Sequence, residues 1–231
     1  MSDTNFLSLA TVPPHSPERI TYLCIQGIAL LPIMNTSKYP LISDQISRPA
    51  LEVVLTELEA VLARGTAGAI CEFGCYIGTT SLFIRRLIGD QKEFHAYDSF
   101  EGLPAKDAHD QSAAGIDFRA GELAVSKKQF LEQFRKANLR SPITHKAWFD
   151  DLTAQDVPDK IAFAFLDGDF YGSILTSLRL VWPRLSDGGS IAVDDYRRET
   201  LPGVERAITD FMQGKAYRLR YAHNIAIITK A

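Results

Sequence analysis

Residues 69–80 read Ala69-Ile70-Cys71-Glu72-Phe73-Gly74-Cys75-Tyr76-Ile77-Gly78-Thr79-Thr80, a short apolar run that passes directly into two glycines and then into a helical pattern. An apolar run of this length, stopped by a glycine turn, reads as a buried strand. In an open α/β sheet, ligands bind beyond the carboxyl ends of the strands, where a tight turn lets the backbone come close. This turn is therefore where a nucleotide-like cofactor is expected. The spacing is E-x-G-x-x-x-G, whereas the dinucleotide fingerprint is G-x-G-x-x-G with a pyrophosphate on the helix N-terminus. An acid two residues before the first glycine repels a pyrophosphate, yet it accepts a hydrogen bond from an ammonium group, directly or through water. Glu72 thus favours S-adenosylmethionine. Glycine turns after strands are common, so these residues taken alone also suit a plain turn beside a surface acid.

Working outward, Ser47 offers an N-cap and Pro49 fits a first helical turn. Leu51, Leu55, Leu58 and Leu62 then recur at helical spacing until Gly65. After the quoted strand come a helix over Thr80–Ile88, a strand over Glu93–Tyr97, a helix over Ser126–Ala137 and a short strand over Ile143–His145. A very apolar strand follows at Ile161–Leu166, with a helix at Leu175–Trp182. The Gly188-Gly189 turn leads to a strand at Ser190–Val193, Val204–Met212 is the last helix, and Tyr217–Tyr221 with Ile225–Thr229 form a terminal hairpin around His223-Asn224. This alternation predicts an α/β, doubly wound, mostly parallel sheet of seven strands with an antiparallel C-terminal strand. Residues 1–47, rich in Pro, Ser and Thr, read as an arm or cap, and 48–231 as the single domain. The longest irregular stretch, Ser99–Val125, has the length of a lid or substrate loop, or of a merely mobile surface loop.

Asp98 closes the second strand, where an acid accepts hydrogen bonds from ribose hydroxyls, although it also suits a cap for the Ser99-Phe100-Glu101-Gly102 turn. The other acidic groups are Asp167-Gly168-Asp169 after the strand at 161–166 and Asp194-Asp195 after the strand at 190–193. If those strands are neighbours, Asp167, Asp194 and Asp195 converge at one sheet edge. Clustered carboxylates repel and raise one another's pKa, so the cluster asks for a cation. Oxygen-only donors suit Mg²⁺ or a similar hard ion. Either cluster alone could instead serve turns and caps.

The run Glu72-Phe73-Gly74 with Gly78-Thr79-Thr80, then His95-Ala96-Tyr97-Asp98-Ser99-Phe100-Glu101-Gly102-Leu103-Pro104, resembles the macrocin O-methyltransferase (TylF-like) family. Phe165-Leu166-Asp167-Gly168-Asp169-Phe170-Tyr171, Gly188-Gly189 and Asp194-Asp195-Tyr196 continue the likeness in the same order, over roughly residues 69 to 212. The resemblance implies a class I, Rossmann-like methyltransferase fold, a Mg²⁺-type ion, and methylation of a hydroxyl, often on a sugar of a natural product. By matching positions, it implies that Glu72, Gly74, Gly78, Thr79, Thr80, Asp98 and Ser99 hold S-adenosylmethionine, with Ala147, Trp148 and the acids following them near its adenine. Asp167, Asp194 and Asp195 would hold the metal. Related metal-dependent enzymes carry Lys or His three residues after the first metal-binding Asp; here that position is Phe170. The base is then Asp167, Asp169 or a loop residue such as His109. Phe100, Phe118, Trp148, Phe170 and Tyr196 are candidates for an aromatic pocket wall, each with ordinary core packing as the alternative.

The chain has 231 residues, 46% of them hydrophobic and 23% charged, and a net charge of −3. That balance excludes a disordered or fibrous chain and gives no basic footprint for nucleic acid or an anionic membrane. A small-molecule hydroxyl acceptor is the expected partner, with a homo-oligomer left open. Cys24, Cys71 and Cys75 make no even disulfide framework, and the apolar stretch 22–34 is too short and interrupted to span a bilayer, so the expected location is cytoplasmic. A nicotinamide-dependent oxidoreductase shares the sheet and the acid after the second strand but leaves Asp167 with Asp194-Asp195 unexplained. A non-catalytic cofactor-binding module is the third alternative.

Overall fold

The structure, a computed structural model, describes residues 34–113 and 118–231. His15, Cys24 and the rest of the expected arm up to residue 33 lie outside the described residues. The first helix, α1, spans Arg48–Ala63, with the Ser47 hydroxyl accepting from Ala50 N and Pro49 in its first turn. Strand β1 (Ala69–Phe73) leads to α2 (Thr79–Ile88) and β2 (Phe94–Asp98). Helix α3 (Lys127–Lys136) starts at a reciprocal Ser126–Gln129 capping box and precedes β3 (Ile143–Lys146). Strand β4 (Ile161–Leu166), α4 (Tyr171–Val181), β5 (Leu185–Val193), α5 (Pro202–Met212), β6 (Tyr217–Ala222) and β7 (Ile225–Lys230) complete the chain.

The seven strands form one sheet in the order β3-β2-β1-β4-β5-β7-β6. Strands β1 to β5 run parallel, and β7 is antiparallel to both β5 and β6. Alternate strand residues feed opposite faces, as the pleat requires. Phe73, Leu166 and Val193 pack with Ile174 and Leu178 of α4 and Val204 and Ile208 of α5. Ile70, Phe163, Phe165 and Ala192 pack with Leu51, Leu55 and Leu58 of α1 and Phe83 and Ile84 of α2. Each such fully buried side chain contributes about 1.5–3 kcal/mol. A smaller cluster joins Leu82 of α2 to Phe130 and Phe134 of α3. None of the helices among the described residues is long and apolar enough to cross a membrane.

Two boundaries differ from the sequence reading by more than two residues. Strand β5 begins at Leu185, so Gly188 and Gly189 lie inside it; its register with β4 shifts between Ile161 and Phe163. A Cβ on Gly189 would sit 2.8 Å from the Ala162 carbonyl oxygen, so the close strand approach is what requires glycine. Helix α4 starts at Tyr171 rather than Leu175 because Asp110, far away in sequence, accepts a hydrogen bond from Tyr171 N at 2.7 Å.

The register aligns the strand ends. Phe73 pairs with both Tyr97 and Leu166, and Leu166 pairs with Val193. The residues that follow therefore share one edge: Asp167 N donates to Phe73 O at 2.8 Å, Asp194 N to Leu166 O at 2.9 Å, and Gly74 N to Tyr97 O at 2.9 Å. The strand order reverses between β1 and β4, which places the ligand crevice of such a sheet at this edge.

Candidate active site

At the reversal point the backbone is crowded. Gly74 has φ +85°, and a Cβ there would lie 1.8 Å from the carbonyl oxygen of Asp167. A side chain at this position would push the ends of β1 and β4 apart. Asp98 then organises the turn: its Oδ2 accepts from Cys75 N and Tyr76 N, both at 2.9 Å, and its Oδ1 accepts from Phe100 N at 2.7 Å. The Ser99 hydroxyl donates to Gly102 O at 3.1 Å and accepts from Glu101 N at 3.1 Å, which shapes the next bend. Ala147 N donates to Asp98 O at 3.0 Å, so the residues after β3 are tied to the end of β2.

These groups open onto a cleft of about 830 Å³, space open to solvent included. Gly74, Asp98, Ser99, Ala147 and Trp148 line it, together with Asp167, Asp169, Asp195 and Arg198. Of the nine residues expected to hold the cofactor, five thus meet here. The other four are placed behind the wall. Glu72 is buried, takes a hydrogen bond from the Ser81 hydroxyl, and has its carboxyl pushed up to about 8, chiefly by burial. Gly78 faces the Phe130 ring. The Thr79 hydroxyl pairs with that of Ser43 at 2.6 Å, and Thr80 is buried in the first turn of α2. These four, expected to hold the cofactor, are thus beside the turn and not among the residues that line the cleft.

The acidic side is densely charged. Burial raises the carboxyls of Asp167, Asp194 and Asp195 above the usual range, and Asp194, Asp169 and Asp195 push Asp167 further. Burial and Asp195 lift Asp169 to about 7. Asp195 is moderated by Arg198, whose Nη1 donates to its Oδ1 at 2.5 Å. Asp194 is set behind the cavity wall, its Oδ1 accepting from the backbone N–H of Asp195 at 2.7 Å. Among the described residues no group of three His, Cys, Asp or Glu side chains is arranged to hold a metal ion. The expected convergence of Asp167, Asp194 and Asp195 therefore holds for the strand tips but not for the carboxylate oxygens, because Asp194 and Asp195 are turned to other partners.

His109 is not at the cavity. It stacks on Tyr171 at 4.0 Å, its Nδ1 contacts Asp107 at 3.1 Å, and it lines a separate outer groove. Of the candidate aromatics, Phe118 and Trp148 line the cavity, whereas Phe100, Phe170 and Tyr196 pack in the core. Sequence reading missed Phe149, Leu123 and Gln45 in the wall and Arg198 beside Asp195. Gln45 precedes the first recognisable helix and carries no motif; Arg198 had a legible signal in its three-residue spacing from an acid.

Comparison with known proteins agrees with this geometry. A profile of the macrocin O-methyltransferase (TylF) family matches residues 40–220. The chain is 34% identical over 149 residues, 60% of its length and 57% of the relative's, to an 8-demethyl-8-(2,3-dimethoxy-α-L-rhamnosyl)-tetracenomycin-C 4'-O-methyltransferase of Streptomyces olivaceus. It is 29% identical over 158 residues, 63% and 59% of the two lengths, to a demethyldecarbamoylnovobiocin O-methyltransferase of Streptomyces niveus. The matches thus span somewhat less than two thirds of each of these relatives. The solved structure of the O-methyltransferase NovP superposes with a TM-score of 0.67 at 21% identity, covering 80% of this chain and 81% of that one. A calicheamicin methyltransferase gives 0.64 at 19% identity, covering 78% and 77%. These two establish a shared fold. With 40–220 matched by the profile and its motifs gathered at the strand tips, the chain belongs to the macrocin O-methyltransferase (TylF) family.

Proposed function

We propose that this protein transfers a methyl group from S-adenosylmethionine to a hydroxyl of a small molecule, a sugar or other natural-product intermediate, with assistance from a divalent cation. One observation carries the reading: Gly74, Asp98 and Ser99, from the ends of β1 and β2, line the same cleft as Asp167, Asp169 and Asp195. Donor and acceptor ends therefore share one cleft, as methyl transfer in line requires. The sugar substrates in the names of the relatives favour the same acceptor class.

S-adenosylmethionine, when bound, supplies an electrophilic sulfonium methyl. The chain's task is alignment. The carboxylate of Asp98 is already committed to three backbone N–H groups, so it presents a rigid, preorganised wall. Trp148 and Phe149 supply apolar surface beside it. In the same cleft Asp169, with its carboxyl near 7, is matched to accepting a hydroxyl proton at neutral pH.

The donor set fits a hard divalent cation in kind: two buried and two half-buried carboxyl groups crowd one guanidinium, and a second cation would favour their ionised forms. Asp167, Asp194 and Asp195 are the residues that would hold it, after reorientation of the last two. A divalent cation, when bound, supplies Lewis-acid stabilisation of the deprotonated hydroxyl.

The test is release of S-adenosylhomocysteine with free and glycosidic sugars as acceptors, in Mg²⁺ and after exhaustive chelation. Asp169→Asn should lower kcat by roughly 10²–10⁴-fold while calorimetric affinity for S-adenosylhomocysteine stays near that of the wild type. Asp194→Ala should abolish transfer with cofactor binding retained. Undiminished turnover after chelation removes the cation from the reading; lack of affinity for S-adenosylhomocysteine removes the reading altogether.

A further inference from the structure

The turn after β5 delivers an arginine to the acidic cluster. Asp195 and Arg198 are the ends of a turn closed by Arg198 N donating to Asp195 O at 3.1 Å. Asp195 and Arg197 within it hold left-handed backbone angles, φ +56° and +60°. Such angles cost energy in non-glycine residues, so the surrounding structure holds this turn in place. Across it the guanidinium of Arg198 donates to Asp195 Oδ1 at 2.5 Å. The Arg198 side chain is 43% exposed and that of Asp195 is 9% exposed, so the positive charge reaches in from solvent on a tether. Arg198 also lines the outer groove, where Glu199 is an alternative anionic neighbour and Glu205 is paired with Arg197.

We propose that Arg198 is a tethered counter-ion of the metal site: without a divalent cation its guanidinium occupies Asp195, and the cation must displace it toward the groove before Asp195 can become a ligand. This inference rests on the divalent-cation reading above. A buried carboxylate stripped of its partner is strongly destabilising, so the arginine protects the fold when no metal is bound. It also discriminates among cations. A monovalent ion that displaces Arg198 exchanges one positive charge for another and forfeits a short charge-assisted hydrogen bond, whereas a divalent ion adds net charge to a cluster of four acids. The same arrangement explains why three carboxylates do not converge among the described residues: one of them is held by Arg198.

The experiment is calorimetric titration of the full chain with Mn²⁺, comparing wild type with Arg198→Gln and Arg198→Lys. Hydrogen bonds to charged groups contribute enough that losing the competitor should tighten Mn²⁺ binding roughly tenfold or more in Arg198→Gln, with Arg198→Lys between it and the wild type. Equal or weaker binding by Arg198→Gln overturns the counter-ion role and makes Arg198 a support for the site. Mn²⁺ binding by neither protein overturns the cation reading itself, and the counter-ion role with it. Should Arg198→Gln fail to fold, the wild type alone decides. Mn²⁺ should increase phenylglyoxal modification of Arg198, read by peptide mass spectrometry; unchanged or reduced labelling overturns the proposal.

Discussion

At the residue scale, the site depends on a few side chains whose substitution has one dominant consequence. Asp98 accepts three backbone N–H bonds that no other group in the turn can take over. Asp98→Ala should cost about 3 kcal/mol in urea unfolding and abolish S-adenosylhomocysteine binding in the same preparation; a variant with full stability and affinity would show that the turn stands without it. At Gly74 the constraint is steric. Any Cβ meets the Asp167 carbonyl, so Gly74→Ala should lower the thermal midpoint by more than Asp98→Ala does, as strand separation costs more than lost hydrogen bonds. Asp98 was legible as a site residue from its position after an apolar strand. Its attachment to the Cys75 and Tyr76 amides was not, because that depends on the pairing of β1 with β2.

At the scale of elements, the long segment between β2 and α3 is held down at a buried acid, with Ser112 Oγ donating to Glu199 O and Arg206 to His109 O beside it. Asp110 accepts from Tyr171 N at 2.7 Å and from Asp107 N at 3.2 Å, and it sits where a Cβ on Gly203 of α5 would be. A carboxylate at a helix N-terminus is favoured by both the free amides and the dipole. The loop thereby caps α4 while its other residues, Leu103, Phe118 and Leu123, wall the cavity. Asp110→Ala should expose the loop, read as faster cleavage between β2 and α3 in limited proteolysis. The KM for the acceptor should rise several-fold, with little change in affinity for S-adenosylhomocysteine, since the donor side keeps its contacts. Loop cleavage at the wild-type rate would mean that other contacts hold it. The segment's length marked it as a lid or substrate loop; its latch was invisible, because a helix capped from 61 residues away carries no local signature.

At the scale of the whole molecule, buried acids set the response to pH. Glu72 is raised to about 8, and Asp167, Asp194 and Asp195 are raised as well, burial being the first cause in each. An acid with a raised folded-state pKa holds its proton in the native protein where the unfolded chain has lost it, so stability falls as pH rises from the ordinary carboxyl range through the folded value. Without divalent cations, unfolding free energy should decline from about pH 5 to pH 8. Glu72→Gln should flatten part of that slope and be more stable than the wild type at pH 8.5; a wild-type profile rising over this interval would contradict the burial argument. The sequence alone determined the seven strands and their order of appearance, the glycine turn, and the acids at the tips of β2, β4 and β5. Strand periodicity, apolar runs and turn residues are local properties of a chain. Only the tertiary structure decided that Glu72 and the first turn of α2 stand behind the wall, that Asp110 caps α4, and that Arg198 holds Asp195. Those outcomes depend on which distant groups compete for the same oxygen atoms, and competition across the sheet edge exists only once the strands have paired.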